Sequence, residues 1–151
     1  MTSVQLVDEI RGALAAAGDP EKAVREQAYM KSALPFHGVR LPEVRRITRS
    51  LLKKHPLTDR DQWERAIQKL WDKVTHREQW YAALEIAGYR DAHDWQDLEA
   101  LELYRYLATT GAWWDVVDEI ASPLVENVVA TTPEARAVVW TWATGDDLWL
   151  R

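Results

Sequence analysis

The sequence predicts an all-α protein of about eight short helices. Apolar residues recur at every third or fourth position along most of the chain, which places them on one face of a helix. The alternation typical of a half-buried strand is nowhere sustained. Cap residues or prolines precede many of the apolar stripes and mark helix starts. We therefore expect helices near residues 3–17, 20–33, 42–54, 59–74, 76–90, 94–109, 112–130 and 133–144.

The first four helices follow in order from their stripes and start signals. The second opens at Asp19-Pro20, where Asp19 is a cap residue and Pro20 takes the first helical position. The third opens in a similar way at Pro42, without a polar cap. The stripes are Val7, Ile10 and Leu14 in the first helix, Val44, Ile47 and Leu51 in the third, and Trp63, Ile67, Leu70 and Val74 in the fourth.

The later helices are marked by the same kinds of signal. Thr75 and Glu78 have the spacing of a capping box at the start of the fifth helix. Pro123 cannot donate to the carbonyl of Glu119, so it should kink or divide the helix at 112–130. The remaining signals are the stripes Trp80, Leu84 and Ala87 and Val117, Ile120 and Leu124, and the start at Thr132-Pro133.

The helices recur as similar segments. These open at Pro42, His76 and Trp113, at intervals between thirty and forty residues, and another helix precedes each. That interval suits helix-pair repeats of the HEAT or armadillo kind, which stack into a solenoid with a concave face. A plain antiparallel bundle explains the same periodicity, so the spacing leaves both architectures open.

Composition and length indicate one folded domain over residues 1–151. Hydrophobic residues make up 47% of the chain and charged residues 28%, which is typical of a folded protein. No apolar stretch approaches the roughly 18 residues of a membrane span, and the N-terminus lacks a secretory pattern, so we expect a cytoplasmic protein. With no Cys and no pair among four His at helical spacing, we expect no metal and no cofactor.

Positive charge is concentrated in one stretch. The net charge of −5 argues at first against a polyanionic partner. Residues 40–54, however, contain six Lys and Arg side chains and one acid, Glu43. In a helix, Arg45, Arg49 and Lys53 form one stripe with Arg46 beside it. This stripe suits a phosphate backbone, and a solvated helix face is the alternative.

The adjacent Trp113 and Trp114 cannot easily enter the same core. Neighbouring helical side chains point about 100° apart, so one of the two should face a groove or solvent. Trp114 and Asp118 are four residues apart and share one side of the predicted helix. An indole beside a carboxylate suits a cationic ligand, although Asp118 could equally be a solvated acid near a helix start.

Three segments carry a family pattern. They are Tyr29-Met30-Lys31, Pro35-Phe36-His37-Gly38-Val39-Arg40-Leu41-Pro42 and Trp113-Trp114-Asp115-Val116-Val117-Asp118. In this order they resemble the AlkD family of DNA alkylation repair enzymes over nearly the whole chain. The tryptophan pair followed by two aspartates is the most specific part of the resemblance.

The resemblance implies an α-superhelix of HEAT-like repeats whose concave, basic face holds duplex DNA. It implies a DNA glycosylase that hydrolyses the N-glycosidic bond of cationic N3- or N7-alkylated purines without needing to flip the base. Such a protein would be nucleoid-associated when bound to DNA. The alternative is a non-catalytic HEAT-like scaffold that binds DNA or protein.

The resemblance also implies roles for single residues. Asp118 would stabilise the positive charge that develops on the deoxyribose and position the attacking water. Trp114 and Tyr29 would pack on the sugar and backbone of the lesion nucleotide. Together with the basic stripe, it yields the expected DNA-binding residues Lys31, Arg45, Arg46 and Arg49.

The family pattern continues beyond the point that corresponds to Arg151, into an arginine beside the lesion and further helices. We therefore expect a chain that lacks the C-terminal repeats of the family. Such a chain would be a monomer, or a partner chain would supply the missing repeats. Half a solenoid makes fewer phosphate contacts, so the prediction allows that this shorter chain is inactive as a glycosylase.

Overall fold

The computed structural model describes residues 2–151, and this range contains helices and no strand. The all-α prediction is confirmed, and the order of helices is compatible with a helical-repeat superhelix. The chain forms two compact units, the first ending at Tyr89 and the second comprising Arg90–Arg151. The α-helices are α1 (Thr2–Ala16), α2 (Pro20–Met30), α3 (Leu41–Lys54), α4 (Arg60–Asp72), α5 (Arg77–Ala87), α6 (Ala100–Gly111), α7 (Trp114–Glu119), α8 (Glu126–Thr131) and α9 (Ala135–Ala143).

The core of the first unit forms where α5 packs against α3 and α4, and α1 packs against all three. The predicted stripe of α1, Val7, Ile10 and Leu14, is fully buried. Trp63 of α4 is fully buried as well, and its indole Nε1 donates a 2.9 Å hydrogen bond to the carbonyl of Ile86 in α5. This bond satisfies the one polar atom of a large apolar side chain.

The second unit is a succession of shorter helices. α6 packs against α7, and α8 packs against α9. A short kinked segment, Ile120–Val125, joins α7 to α8 and contacts α6 as well. No helix among residues 2–151 is long and apolar enough to cross a membrane.

α2 ends at Met30, before the predicted end at residue 33. Lys31 adopts a left-handed conformation with φ 51° and ψ 41°, and its N–H donates to the carbonyl of Ala28 at 3.2 Å. The N–H of Ser32 donates to the carbonyl of Gln27 at 3.1 Å. These two bonds form a Schellman motif, which closes a helix by turning the chain away from its axis.

The helix predicted over 94–109 begins later, at Ala100. Asp97 accounts for the shift, because its carbonyl and its carboxylate Oδ1 accept the N–H of Ala100 at 3.0 and 3.3 Å. The preceding segment, Arg90–Trp95, is a short 3₁₀ turn. Apolar periodicity continues through such a cap, which is why the predicted boundary was wrong.

The helix predicted over 112–130 is divided, as Pro123 indicated. Ser122, the residue before this proline, has an extended backbone with φ −139° and ψ 119°. Proline lacks an N–H, and its ring disfavours a helical conformation in the residue before it. One predicted helix is therefore two, α7 and α8, with the kinked segment between them.

Gly38 permits a close approach between the loop that precedes α3 and the first turn of α2. It has φ +87°, in the region that favours glycine. A Cβ atom there would lie 2.1 Å from the carbonyl oxygen of Asp19 and 2.9 Å from the amide nitrogen of Ala23. The same approach lets the N–H of Asp19 donate to the carbonyl of His37 at 2.8 Å.

Gly38→Ala should lower the free energy of unfolding by at least about 1–3 kcal/mol, because the backbone strain and the steric overlap act together. Urea unfolding followed by circular dichroism measures the change. Gly12 in α1 is a matched control, since a Cβ there meets no atom within 4 Å. Gly12→Ala should stabilise the protein by about 0.5–1 kcal/mol, and equal midpoints for the two variants would contradict this account of the loop.

Candidate functional site

Trp114 and Asp118 lie on α7, four residues apart and on the same side. Trp114 is 50% exposed, and Asp118 is also exposed. Among residues 2–151, neither side chain has a hydrogen-bond or ion-pair partner. Trp113 contacts Trp149 instead, with ring centroids 6.3 Å apart. The prediction that one tryptophan of the pair faces solvent is confirmed.

The exposed indole and carboxylate of α7 make a surface suited to a cation. The face of an indole attracts positive charge by about 0.5–1 kcal/mol at an exposed site, and by more where water is excluded. The carboxylate of Asp118 adds the attraction of a full negative charge. Because no described residue neutralises it, a cationic ligand can approach Asp118 without breaking an existing ion pair.

Tyr29 and Lys31 lie at the C-terminal end of α2. The Tyr29 ring is 79% exposed in the last turn of the helix. Lys31 follows in the left-handed position and is exposed, without an ion-pair partner among the described residues. This end of α2 therefore exposes both an aromatic ring and an ammonium group to solvent.

The arginines of the predicted basic stripe form ion pairs with acidic residues of the first unit. Arg49 Nε donates to Glu85 Oε1 at 2.5 Å, and Arg45 Nε lies 3.8 Å from Glu85 Oε2. Arg46 Nε donates to Glu43 Oε2 at 2.9 Å. The hydrogen bonds between Arg46 and Glu43 lower the pKa of the Glu43 carboxyl and raise the pKa of the Arg46 guanidinium.

The arginines of α3 are thus divided between two carboxylates. Glu85 on α5 brings Arg45 and Arg49 together, whereas Arg46 turns to Glu43 on its own helix. Arg46 and Arg49 keep more than half of their side-chain surface exposed, at 67% and 58%. The three arginines are therefore ordered and partly neutralised on the surface of the first unit, whereas Lys53 of the stripe is exposed without an ion-pair partner among the described residues.

Glu78 does not complete a capping box with Thr75. The reciprocal bonds form with the next residue instead: the N–H of Thr75 donates to Gln79 Oε1, and Gln79 Nε2 donates to Thr75 Oγ1, both at 2.9 Å. Both Glu78 and Gln79 are buried. The carboxylate of Glu78 is therefore available to another part of the chain.

Glu78 holds the loop that precedes α3. The carboxylate accepts the N–H of His37 at 2.9 Å on Oε1, and the N–H groups of Gly38 and Val39 at 2.9 and 3.1 Å on Oε2. Three backbone donors compensate a carboxylate whose side chain is fully buried. The loop, α5 and the first turn of α2 are thereby joined at one point.

The imidazoles of His37 and His76 stack beside this loop, with ring centroids 3.7 Å apart and planes within 10°. Burial lowers the pKa of His37, and His76 lowers it further, while Glu78 opposes the change. The buried Nε2 of His37 makes no hydrogen bond among the described residues. A neutral imidazole suits this position.

Sequence reasoning missed the parts played by Glu78, Glu85 and the histidine pair. Glu78 and Glu85 are seven residues apart, so the same face of α5 carries both. The sequence did contain a pattern that could have indicated ion pairs between helices: a basic stripe on one helix and two acids on one face of another. Among the described residues, no group of three possible metal-ligating side chains gathers in one place.

One comparison with known proteins gives a match over nearly the entire chain. A family model described as DNA alkylation repair enzyme matches residues 10–151. This range contains both groups of exposed site residues described above. No curated protein matches the chain.

Glu78→Gln should destabilise the first unit by about 1.5–3 kcal/mol. The amide keeps the size of the side chain but turns an NH2 donor toward backbone donors, so charge-assisted bonds are lost. Urea unfolding measures the shift in midpoint. Glu102→Gln, the same change at an exposed position of α6, should leave the midpoint almost unchanged; an equal shift in both variants would show that the loop does not depend on Glu78.

The lowered pKa of His37 should make stability depend on pH. Below the ordinary value of 6.5 the unfolded chain binds more protons than the folded one, so stability falls as pH drops from 6.5 through the folded-state pKa. His37→Gln should remove this part of the dependence when urea midpoints at about pH 7.5 and 5.5 are compared. His93→Gln, at an exposed histidine, should keep it. An unchanged dependence in His37→Gln would contradict the assignment.

Proposed function

Because the chain belongs to the DNA alkylation repair enzyme family, we propose that it is a DNA glycosylase acting on cationic N3- or N7-alkylated purines in duplex DNA. The reaction is hydrolysis of the bond between the damaged base and C1′ of its deoxyribose. The base leaves with the bonding electron pair as a neutral purine, water supplies the hydroxyl group at C1′, and the remaining proton of that water passes to solvent. The observation that carries this proposal is the carboxylate of Asp118, which has no partner among residues 2–151 and lies one turn beyond the exposed indole of Trp114.

The chemistry explains why a carboxylate and an aromatic ring are sufficient. A purine that already carries a positive charge is an activated leaving group, so a general acid contributes little. The barrier lies in the positive charge that develops on the deoxyribose as the bond breaks. A preorganised negative charge stabilises that transition state more than the ground state, which is the condition for catalysis.

In this mechanism Asp118 has two tasks. Its charge stabilises the oxocarbenium-like sugar, and one carboxylate oxygen accepts a hydrogen bond from the attacking water. The lack of an internal partner among the described residues supports both tasks, since an ion-paired carboxylate would offer less negative charge. Trp114 contributes the face of its ring to the cationic sugar and to the exclusion of water.

Residues of the first unit supply contacts to the DNA backbone in this proposal. Tyr29 packs on the sugar and backbone of the lesion nucleotide, and its exposure supports that contact. Lys31, Arg45, Arg46 and Arg49 bind phosphates. The three arginines have carboxylate partners, so phosphates must compete with Glu43 and Glu85 or share the arginines with them. The base need not leave the stack, because the reacting bond is reached from the sugar side.

The test is single-turnover release of 7-methylguanine from duplex DNA. Asp118→Asn should reduce the rate constant on the order of 10²-fold, because it removes the charge at nearly constant size. Asp94→Asn is the matched control, an exposed aspartate in the same unit without a partner among the described residues. It should release the base at the wild-type rate.

Two results would count against the proposal. Equal rates for Asp118→Asn and the wild-type protein would remove the carboxylate from the mechanism. No release by the wild-type chain, together with equal affinity for damaged and undamaged duplex, would favour a non-catalytic DNA-binding module. Anisotropy of a labelled duplex measures that affinity in the same samples.

A further inference from the structure

A surface hollow of about 420 Å³ lies beside the first turns of α2, and its described lining residues are distinct from the α3 arginines that the sequence singled out. Four charged side chains line it: Lys22, Arg25 and Glu26 of α2, and Arg40 directly before α3. The hollow therefore brings three cations together around one carboxylate. The N-terminal end of α3, with its partial positive charge, adds to the same sign.

These cations differ from the arginines of the basic stripe in one respect. Among the described residues, Lys22, Arg25 and Arg40 have no ion-pair partner within 4 Å, whereas Arg45, Arg46 and Arg49 each have one. An anion entering the hollow meets three cations that are opposed only by the nearby Glu26 among the described residues and are not held in an ion pair. Its binding there requires no internal ion pair to break.

Glu26 is the one acid of the hollow, and its surroundings reduce its opposition to an anion. Burial raises its pKa and the nearby Glu78 raises it further, while Lys22, Arg25 and Arg40 act in the other direction. The carboxyl therefore ionises less readily than an exposed glutamate. The hollow stays positive in net charge even with Glu26 ionised, since three cations face one acid.

The backbone holds the two sides of the hollow in register. Asp19 caps α2 by accepting the N–H groups of Glu21 and Lys22 at 3.1 and 3.4 Å. The N–H of Asp19 donates in turn to the loop carbonyl of His37 at 2.8 Å. Arg40 follows this loop, which Glu78 holds through three backbone bonds. The backbone segments that carry the cations of α2 and Arg40 are thus held to one another.

The hollow shares a helix face with a residue of the proposed site. Lys22, Glu26 and Tyr29 are spaced i, i+4 and i+7, so they lie on one side of α2. The seven residues from Lys22 to Tyr29 span about 10 Å of helix. Phosphates of one DNA strand rise by about 3.4 Å each along the duplex axis and also wind around it, so 10 Å through space spans fewer than three nucleotides.

We propose that this hollow binds a backbone phosphate of duplex DNA, less than three nucleotides along the strand from the nucleotide that Tyr29 contacts. The inference rests on the proposed function, which places the DNA backbone against Tyr29. It adds Lys22, Arg25 and Arg40 as phosphate-binding residues and makes α2 a track for one strand. The ligand chemistry is a phosphate oxyanion, which free inorganic phosphate could also supply.

The test is the salt dependence of binding to an undamaged duplex, followed by fluorescence anisotropy. Loss of one phosphate contact should reduce the magnitude of the slope of log K against log salt by about 0.9. Between 50 and 200 mM salt, the factor by which the affinity of Lys22→Ala or Arg40→Ala falls should therefore be about 3-fold smaller than the factor for the wild-type protein. Glu26→Gln should bind more tightly than the wild-type protein at low salt. A general loss of folding cannot produce these opposite directions.

Arg65→Ala is the matched control, since Arg65 is exposed on α4 and has no ion-pair partner among the described residues. It should keep the wild-type slope. Unchanged slopes in Lys22→Ala, Arg25→Ala and Arg40→Ala would overturn the proposal. If inorganic phosphate then shifts the backbone amide NMR signals of the hollow, the ligand of the hollow is free phosphate and not the DNA backbone.

This binding test is independent of the test of the proposed function, because binding to an undamaged duplex involves no release of a base. Reduced slopes with no glycosylase activity would support the phosphate site and reject the enzyme. Base release with unchanged slopes would support the enzyme and reject the site. Each protein in the series is the full chain, and circular dichroism checks that each variant is folded.

Discussion

The buried carboxylate of Glu78 and the three backbone N–H groups that it accepts are the constraint on which the site-bearing part of the first unit depends. A buried charge is costly unless it is fully hydrogen-bonded, so the loop over residues 37–39 must keep one conformation while α5 is folded. That conformation brings Gly38 against the carbonyl of Asp19 and thereby fixes the first turn of α2. Tyr29 and Lys31, at the other end of α2, take their positions from the same contact.

Charge pairing then distinguishes two kinds of basic surface on the first unit. Glu85 and Glu43 order the arginines of α3 and neutralise them in part. Lys22, Arg25 and Arg40 are ordered by backbone geometry, and described residues leave their charges unopposed except by Glu26. The first kind favours a defined arrangement of the cations, and the second favours strong attraction of an anion.

Much of the local structure was accessible from the sequence, and the errors have local causes. The apolar stripe of α1 and the division at Pro123 follow from spacing and from the chemistry of proline, and both were predicted correctly. The C-terminal end of α2 and the start of α6 were misplaced because a left-handed Lys31 and a capping Asp97 leave no mark on apolar periodicity. The exposure of one tryptophan from the pair at 113 and 114 follows from helix geometry alone.

By itself, the sequence determined the all-α class, the family pattern and the neighbouring positions of Trp114 and Asp118, because these depend on residues close together in the chain. Only the tertiary structure decided which charges pair between different parts of the chain. Glu78 meets the loop about forty residues before it, and Glu85 meets Arg49 thirty-six residues before it. Such partners depend on how helices pack, and Coulomb energy depends on the distance through space rather than along the chain. For that reason Glu78 looked like a helix cap in the sequence and is the anchor of a loop in the fold.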